Sequence, residues 1–519
     1  MHQTEDQGET PTGWIKTITP AAPSLADNTA DADRLCKALQ QSVGGAVRVP
    51  DIALLRRLPQ RLRRSDGPID CLLFRERGDW ILLDTFPASS EDRPLGIAVD
   101  LGTTRVVLAL IDLRSGRSLG QTTFDNPQSV VGPDVLTRIH HCDTPGGLTE
   151  LQTLIAGAVN REITVLTRAA GVAETDIYLA AVAGNTAMTH LFLGLTPHWV
   201  IREPYIPATN RPGVLPASDL GLRTHPRARV FTFPNIGSYF GGDLIAGILF
   251  SRLHCSDATA LLVDVGTNAE VVLGNRNWLV GCAGAAGPAL EGGVARMGTT
   301  AGPGVIDRVE LDTTGRLTYR TIGDRAPTGI CGSGVIDLAA RLFLGGMIDI
   351  RGKLQPDVCG ARYHLVDDLA HLEVVPAAEA AGGRPLTISQ AELDSLIRSK
   401  AAMFTILETL TGSVGVAFEA LERILVAGTF GAYIDPQAAI TIGMLPDLPL
   451  DRYQAIGNSS LGGAVRLLTD SGCWEEIDAI QTSVTYLELN VNQDFMNRFS
   501  AAKFIPHTDR QRFPSVARS

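Results

Sequence analysis

From Leu95 to about residue 470, short runs of consecutive apolar residues alternate with Ala- and Leu-rich stretches of helical period, and Gly-rich turns stand between them. Apolar runs of strand length are buried on both faces, and the helical stretches supply the cover, so the pattern predicts an α/β or mixed-sheet region. The chain before it reads differently. Residues 1–30 are rich in Thr, Ala, Pro, Asp and Glu, show no period and are expected to form a disordered arm. Residues 31–93 read as a small α+β domain. It has a helix over DADRLCKALQQSV, then DIALLRRLPQRLRR with Ile52, Leu54, Leu55, Leu58 and Leu62 near one face, then a hairpin CLLFRERGDWILLDTF turning at Arg77–Asp79. Pro59 removes an amide donor inside the second segment, so a break or kink is expected there. TSVTYLELNVNQDFMNRFSAAKFIPH predicts one strand and one short helix at the end of the chain. The boundaries drawn from these shifts are 1–30, 31–93, a first lobe 94–255, a second lobe 256–483, and a C-terminal tail 484–519 packed on the core.

Inside the α/β region one pattern occurs twice. GIAVDLGTTRVVLA (96–109) superposes on ALLVDVGTNAEVVL (260–273) with a shift of 164 positions, matching Val99 to Val263, Asp100 to Asp264, Gly102 to Gly266, Thr103 to Thr267 and Val107 to Val271. Each copy predicts a buried strand, a tight turn and a second buried strand. Gly102 and Gly266 let the turn backbone come close to a phosphate. Turn N–H groups, with Thr103 and Thr104 in one copy and Thr267 and Asn268 in the other, can donate to phosphate oxygens. An aspartate ending an apolar strand is a costly charge unless something compensates it. A hydrated Mg²⁺, held by Asp100 and Asp264 through water, would do so. Two such hairpins facing each other would grip a triphosphate from both sides.

Later segments extend the pattern. RILVAGTFGAYID (423–435) runs an apolar strand into Gly428-Thr429-Phe430-Gly431, where small residues allow a flat adenosine to lie against the backbone. GGDLIAG (241–247) opens a helix at Asp243, which reads either as a base acting on a water or hydroxyl that attacks a γ-phosphate, or as a helix cap. AGNTAMTHLFLGL places Asn185 and Thr186 at a strand-to-helix turn, and PTGICGSGVIDL places Gly332 and Gly334 at a helix start able to take an anion or nucleotide edge. Cys331 there reads as a small buried residue. GCAGAAGPALEGG (281–293) suggests a mobile loop near the cleft, and IGNSSLGGAVRLL (456–468) a late helix of small residues beside the nucleotide.

The order of first phosphate hairpin, second phosphate hairpin and adenosine loop resembles the actin and sugar-kinase superfamily. This implies a two-lobed ATPase built on duplicated ribonuclease-H-like domains, preceded by the small α+β domain. At finer grain GIAVDLGTTRVVLALIDL, FDNPQSVVGPDVLTRI, AGNTAMTHLFLGL, LLVDVGTNAEVVL, GPALEGG, PTGICGSGVIDL, ISQAELDSLIRSKAAM, ILVAGTFGAYID, IGNSSLGGAV and YLELNV…FIPH resemble the reductive activators of corrinoid proteins, over about residues 52–507. The resemblance implies an ATPase, a homodimer, and coupling of ATP to reduction of Co(II) to Co(I) in a corrinoid (cobalamin) methyl-carrier protein. In that family the small unit before the core is a middle, dimerisation-like domain.

Charge and cysteine content narrow this further. A net charge of −11 argues against a broad nucleic-acid surface. The polar, acidic N-terminus reads as no signal peptide, and no apolar run is long enough to span a membrane, so a cytoplasmic protein is expected. The eight cysteines have no two closer than 27 residues, so no iron–sulfur cluster is expected and a separate ferredoxin or flavoprotein would supply the electron. Two other uses of the same scaffold stay open from sequence: a small-molecule kinase, and a non-catalytic nucleotide-dependent switch that binds a partner protein.

Overall fold

The computed structural model describes residues 13–64, 67–76, 78–266, 269–284, 295–312, 316–428, 434–489 and 493–516. The chain divides into two units, Met1–Phe250 with Ser459–Thr482 and Ser251–Asn458 with Ser483–Ser519. Residues 459–482 thus group with the first unit, whereas the linear reading sets them in the second lobe.

The first unit begins with a four-stranded sheet in the order β1-β3-β4-β2, made of β1 (Ile15–Ile18), β2 (Val47–Arg48), β3 (Ile69–Glu76) and β4 (Asp79–Pro87). Helices α1 (Asp31–Val43) and α2 (Ile52–Arg64) pack on it and on each other. The segment from residue 13 is not a loose arm. β1 pairs antiparallel with β3, and Trp14 is fully buried with its Nε1 donating to the Leu467 carbonyl at 2.7 Å. A large buried aromatic with its N–H satisfied offsets the ordering of so short a strand. Helix α2 also differs from expectation, since it runs unbroken through Pro59. Leu54 and Leu58 are fully buried, and Arg61 is bonded to Asp84 and to the Thr85 carbonyl, so packing on both sides of the proline outweighs its missing amide bond.

The same unit holds a six-stranded sheet in the order β7-β6-β5-β8-β10-β9. Its strands are β5 (Leu95–Leu101), β6 (Arg105–Asp112), β7 (Ser118–Asp125), β8 (Ile177–Gly184), β9 (Val214–Pro216) and β10 (Arg229–Thr232). β5, β6 and β7 form an antiparallel meander, while β8 lies parallel to β5 and β10 parallel to β8. Its helices are α3 (Val135–Cys142), α4 (Gly147–Ala170), α5 (Thr186–Leu193) and α6 (Gly242–Ser251). Helix α4 packs on β6 and β7, and the helix Ser459–Thr469 on β5, β6 and β8. The small residues of that late helix serve helix packing. A Cβ on Gly463 would lie 2.2 Å from the Ala246 carbonyl oxygen, and one on Gly462 2.4 Å from the Phe250 ring, both on α6.

The second unit repeats the plan. Its main sheet runs β21-β20-β11-β12-β13-β22, from β11 (Ala260–Val265), β12 (Ala269–Asn275), β13 (Trp278–Gly284), β20 (Arg423–Ala427), β21 (Tyr453–Gly457) and β22 (Val484–Tyr486). Again three strands form an antiparallel meander, and β20 and β21 continue it in parallel. Between β13 and β20 the chain adds two three-stranded sheets. One holds β14 (Val305–Leu311), β15 (Leu317–Thr321) and β16 (Gly329–Ile330). The other holds β17 (Tyr363–Val366), β18 (Leu369–Val375) and β19 (Leu386–Ser389). Helix α7 (Gly332–Leu344) packs on β14, and the helix Gln390–Ser413 on β12 and β13. The expected strand and helix of the tail are β22 and Gln493–Ala502, the latter packed on Gln390–Ser413.

Candidate functional site

Asp100 and Asp264 occupy the same place in their sheets. Each is the next-to-last residue of a central strand, half-buried, with an antiparallel neighbour on one side and a parallel one on the other. Asp100 stands opposite Val107 and Ala183, and Asp264 opposite Glu270 and Ala427. The parallel neighbours continue alike, Ala183-Gly184-Asn185 in one unit and Ala427-Gly428-Thr429 in the other. The duplication thus extends from the hairpins to the strand that follows each. The sequence comparison missed this second half because the chain inserted between β13 and β20 places it at a different offset.

In the first unit the turn after Asp100 is held from several sides. Gly102 has no room for a side chain, since a Cβ would fall 2.2 Å from the Arg105 carbonyl oxygen. Asn126, fully buried, donates from Nδ2 to the Gly102 carbonyl at 2.9 Å and from its own N–H to the Thr104 carbonyl at 2.7 Å. Asn185 donates from Nδ2 to the Thr103 hydroxyl at 3.0 Å and caps α5 by accepting the Met188 N–H at 2.9 Å. Thr186, beside it, donates to the Gly237 carbonyl at 3.1 Å. Asp243 is not a residue that precedes its helix. It sits inside the first turn of α6, and its Oδ1 accepts the Leu244 N–H at 2.9 Å. Gly241 separates it from Asn185: a Cβ there would lie 2.4 Å from Asp243 Oδ1 and 2.5 Å from the Asn185 Cα. The fold therefore gathers Asp100, Gly102, Thr103, Thr104, Asn185 and Asp243 at one end of one sheet. Asn126, Gly184 and Gly241 belong to the same cluster and were not singled out from sequence. Asn126 stands in an Asn-Pro turn, and nothing local reveals that it spans the hairpin.

In the second unit Gly428 follows β20 with φ +83°, a backbone region that favours glycine, and a Cβ there would come within 3.0 Å of Asp264 Oδ1. Gly266 is exposed at the end of β11. Thr267, Asn268, Thr429, Phe430, Gly431 and the segment 285–293 of the expected mobile loop lie outside the described residues, while 281–284 complete β13. Gly332 and Gly334 open α7 and are buried. The absence of a side chain at Gly334 is accounted for by packing, because a Cβ would lie 2.6 Å from the Ile306 carbonyl oxygen. Cys331 is buried, its Sγ 3.3 Å from the Ile306 carbonyl oxygen and 3.2 Å from Ser333 Oγ.

Taken unit by unit, the donors suit a hydrated hard cation. Each unit offers one half-buried carboxylate at a sheet end beside a glycine turn, and Mg²⁺ is commonly held by one or two carboxylates plus phosphates. The turn at 102–104 adds a hydroxyl and backbone groups whose orientation Asn126 and Asn185 fix. Chemically, this arrangement can take a phosphate and place a carboxylate, Asp243, in the same cluster.

The chain matches three family models end to end: the RACo linker region over residues 10–91, the RACo middle region over 95–256, and the C-terminal domain of RACo, described as the ASKHA domain, over 258–517. It is 32% identical over 427 residues, 80% of this chain and 72% of the relative, to the corrinoid activation enzyme RamQ of Eubacterium limosum. The chain belongs to the RACo family. A further relative is a reductase from Methanosarcina barkeri named for a Co(II) methylated amine-specific corrinoid protein, 24% identical over 444 residues, 78% of this chain and 75% of that protein. Among solved structures, a reductive activator for corrinoid, iron–sulfur protein matches with 37% identity and a TM-score of 0.88, covering 99% of this chain and 82% of that one. The two duplicated sheets are thus an actin-like, sugar-kinase-type ASKHA fold with a smaller N-terminal domain. In the RACo scheme, the small sheet before Leu95 falls in the linker region and the first large sheet in the middle region, so the name middle domain moves from 31–93 to 95–256.

Proposed function

We propose that this chain is an ATP-dependent reductive activator of a corrinoid methyl-carrier protein. It promotes reduction of Co(II) to Co(I), and a separate ferredoxin or flavoprotein supplies the electron. The observation that carries this reading is the match of nearly the whole chain to a solved reductive activator at 37% identity. The activities for which the two relatives are named, corrinoid activation and corrinoid protein reduction, support it.

ATP, with Mg²⁺, is the proposed cofactor. Asp100 and Asp264 hold the hydrated metal, which when bound offsets phosphate charge. Gly102, Thr103 and Thr104, with Asn185 orienting the Thr103 hydroxyl, receive phosphate oxygens in the first unit. Gly266, Thr267 and Asn268 are their counterparts in the second. Gly428, Thr429, Phe430 and Gly431, together with the helix start at Gly332 and Gly334, receive the adenosine. Asp243 orients the attacking water and takes its proton, so the chain acts as an ATPase. The reading further makes the chain a cytoplasmic homodimer. No helix among the described residues is long and apolar enough to cross a membrane.

The test is anaerobic spectroscopy of a Co(II) corrinoid protein with this chain, Mg·ATP and a titanium(III) or ferredoxin donor. Co(I) accumulates only when all components are present. Equal formation without this chain, or without ATP, overturns the reading.

A further inference from the structure

Arg138 lies on α3, and none of its side chain reaches solvent. A guanidinium taken out of water is ordinarily met by a carboxylate, because an unpaired buried charge is strongly unfavourable. Here its partners are neutral. Nε donates to the Gly132 carbonyl at 2.8 Å, and Nη1 faces Gln128 Oε1 at 3.5 Å and Met188 Sδ at 3.4 Å. Nη2 is buried without an acceptor. Asp134, the exposed cap of the same helix, acts on Arg138 only at a distance, its oxygens being engaged by Thr137. Among the described residues no carboxylate forms an ion pair with Arg138.

The guanidinium is linked to the turn 102–104 through Met188 and Asn126. Met188 Sδ, in contact with Arg138 Nη1, is 3.7 Å from Asn126 Nδ2, the amide that donates to the Gly102 carbonyl at 2.9 Å. The Met188 N–H is held by Asn185, which bonds the Thr103 hydroxyl. A positive charge without a counter-ion is therefore held near the phosphate-binding turn, in contact with Met188, which in turn meets Asn126 and Asn185, the two residues that shape that turn.

We infer that Arg138 is a specificity-determining residue for polyphosphate, its buried charge being complemented by the anionic groups of a ligand taken at turn 102–104. This rests on the nucleotide reading of that turn. Arg138 touches no ligand and acts through the field. Inside the protein that field is screened less than at the surface, so it reaches across ~10 Å. Its effect grows with the number of phosphate charges and is indifferent to the adenosine.

Equilibrium binding of Mg·ATP, Mg·ADP and adenosine to the full chain, wild type against Arg138→Gln and Arg138→Lys, tests this. R138Q is expected to weaken Mg·ATP about tenfold and Mg·ADP by less, leaving adenosine unchanged, while R138K keeps most of the wild-type affinity. Wild-type Mg·ATP affinity in R138Q, equal weakening of all three ligands, or R138K no better than R138Q overturns the inference. A wild-type chain that binds no Mg·ATP overturns the nucleotide reading and this inference together. If R138Q does not fold, the wild type decides. Magnesium tripolyphosphate, pyrophosphate and phosphate should raise the thermal midpoint in that descending order, and the absence of that order overturns the inference.

Discussion

Asn185 and Thr103 are joined side chain to side chain, the Asn185 amide donating to the Thr103 hydroxyl at 3.0 Å while its oxygen caps α5. One residue thus ties a helix start to the hairpin turn, and its two bonds can be separated. Asn185→Ala removes both and should lower stability by about 1 kcal/mol from the lost cap. Asn185→Asp keeps the cap, because a carboxylate oxygen accepts the Met188 N–H equally well, but sets a negative charge beside the turn. Thermal melts should place N185D near wild type, and steady-state hydrolysis should place it at least about tenfold lower. Wild-type turnover in N185D would remove this turn from the site.

Asp100 and Asp264 share one position in two equivalent sheets. If both hold the metal, neither replaces the other. Asp100→Ala and Asp264→Ala should each reduce Mg²⁺-dependent hydrolysis by about a hundredfold or more, the scale seen when one group that stabilises transition-state charge is removed. Magnesium titrations of turnover separate a lost metal site from a lost fold. Unchanged turnover in both variants would sink the assignment.

How much of this was legible in the sequence follows from how local each signal is. The hairpins at Asp100 and Asp264 declare themselves because strand, turn and strand are contiguous, and so does the actin-like fold class. The parallel strands beside each hairpin, which run into Gly184 and Gly428, match one another equally well, but chain inserted before β20 breaks the constant offset that exposes a repeat. Asn126 and Gly241 escape because their reasons lie across the fold, one on the Gly102 carbonyl and the other against Asn185. Trp14 and Pro59 mislead for the opposite cause. Composition around each points to disorder or a break, and tertiary burial decides otherwise. Glycines are ambiguous in the same way: Gly102 is required by its own turn, whereas Gly334 and Gly463 are required by a neighbouring element.

Gly428 links conformation to chemistry in the second unit. Its φ of +83° disfavours any side chain, and a Cβ would press on Asp264 Oδ1 at 3.0 Å and the Val265 carbonyl oxygen at 3.2 Å. Gly428→Ala should cost about 1–2 kcal/mol for the left-handed backbone. It should also displace the Asp264 carboxylate, raising the Mg²⁺ concentration needed for half-maximal turnover. Denaturant unfolding and the magnesium titration read the two effects separately. A variant that loses stability with no change in magnesium dependence would show that the close approach to Asp264 is packing alone.

Lys400 is fully buried in the helix Gln390–Ser413, with its Nζ donating to the carbonyls of Phe504 and Pro506, the latter at 2.7 Å. Burial lowers its pKa well below the ordinary lysine value. The Pro506 carbonyl is enclosed from the other side too, since a Cβ on Gly443 would lie 1.9 Å from its oxygen. Lys400→Met conserves length but leaves the buried Pro506 carbonyl and the part-buried Phe504 carbonyl without this donor, a loss of about 1–3 kcal/mol for a buried group left unsatisfied. Limited proteolysis should then cut first in the segment after residue 500, and the wild type should resist cutting there. Wild-type resistance and stability in K400M would show that the tail is held by its apolar contacts alone.

Stability at the join between the small sheet and the first large one should depend on pH. Asp84, buried on β4, receives the Arg227 and Arg61 guanidinium groups and the Tyr178 hydroxyl at 2.8 Å. Burial works to raise its pKa, but the two arginines, with hydrogen bonds from the Thr85 amide and the Tyr178 hydroxyl, together outweigh it and leave the carboxyl below its ordinary value. His225 stacks on Tyr178 with ring centroids 4.1 Å apart, and its Nδ1 accepts the Arg227 N–H at 3.1 Å. Burial first, then the Arg227 charge with a smaller part from Arg57, pushes His225 down to about 4, against the opposing pull of Asp84 and Asp51. In the unfolded chain this histidine takes a proton near pH 6.5, whereas in the folded chain it stays neutral to about 4. Between those values the unfolded state binds more protons, so stability rises with pH. The contribution is complete above about pH 6.5 and is lost progressively as the pH falls from there toward 4. Asp84, with its depressed pKa, adds a loss in the same direction at lower pH. His225→Asn can keep an acceptor for the Arg227 amide but cannot titrate. Thermal midpoints measured from pH 7.5 to 4.5 should therefore fall less steeply in H225N than in the wild type, with the two curves converging toward acid pH. Parallel curves across that range would mean that His225 is protonated in the folded protein and that its stacking on Tyr178 survives the charge.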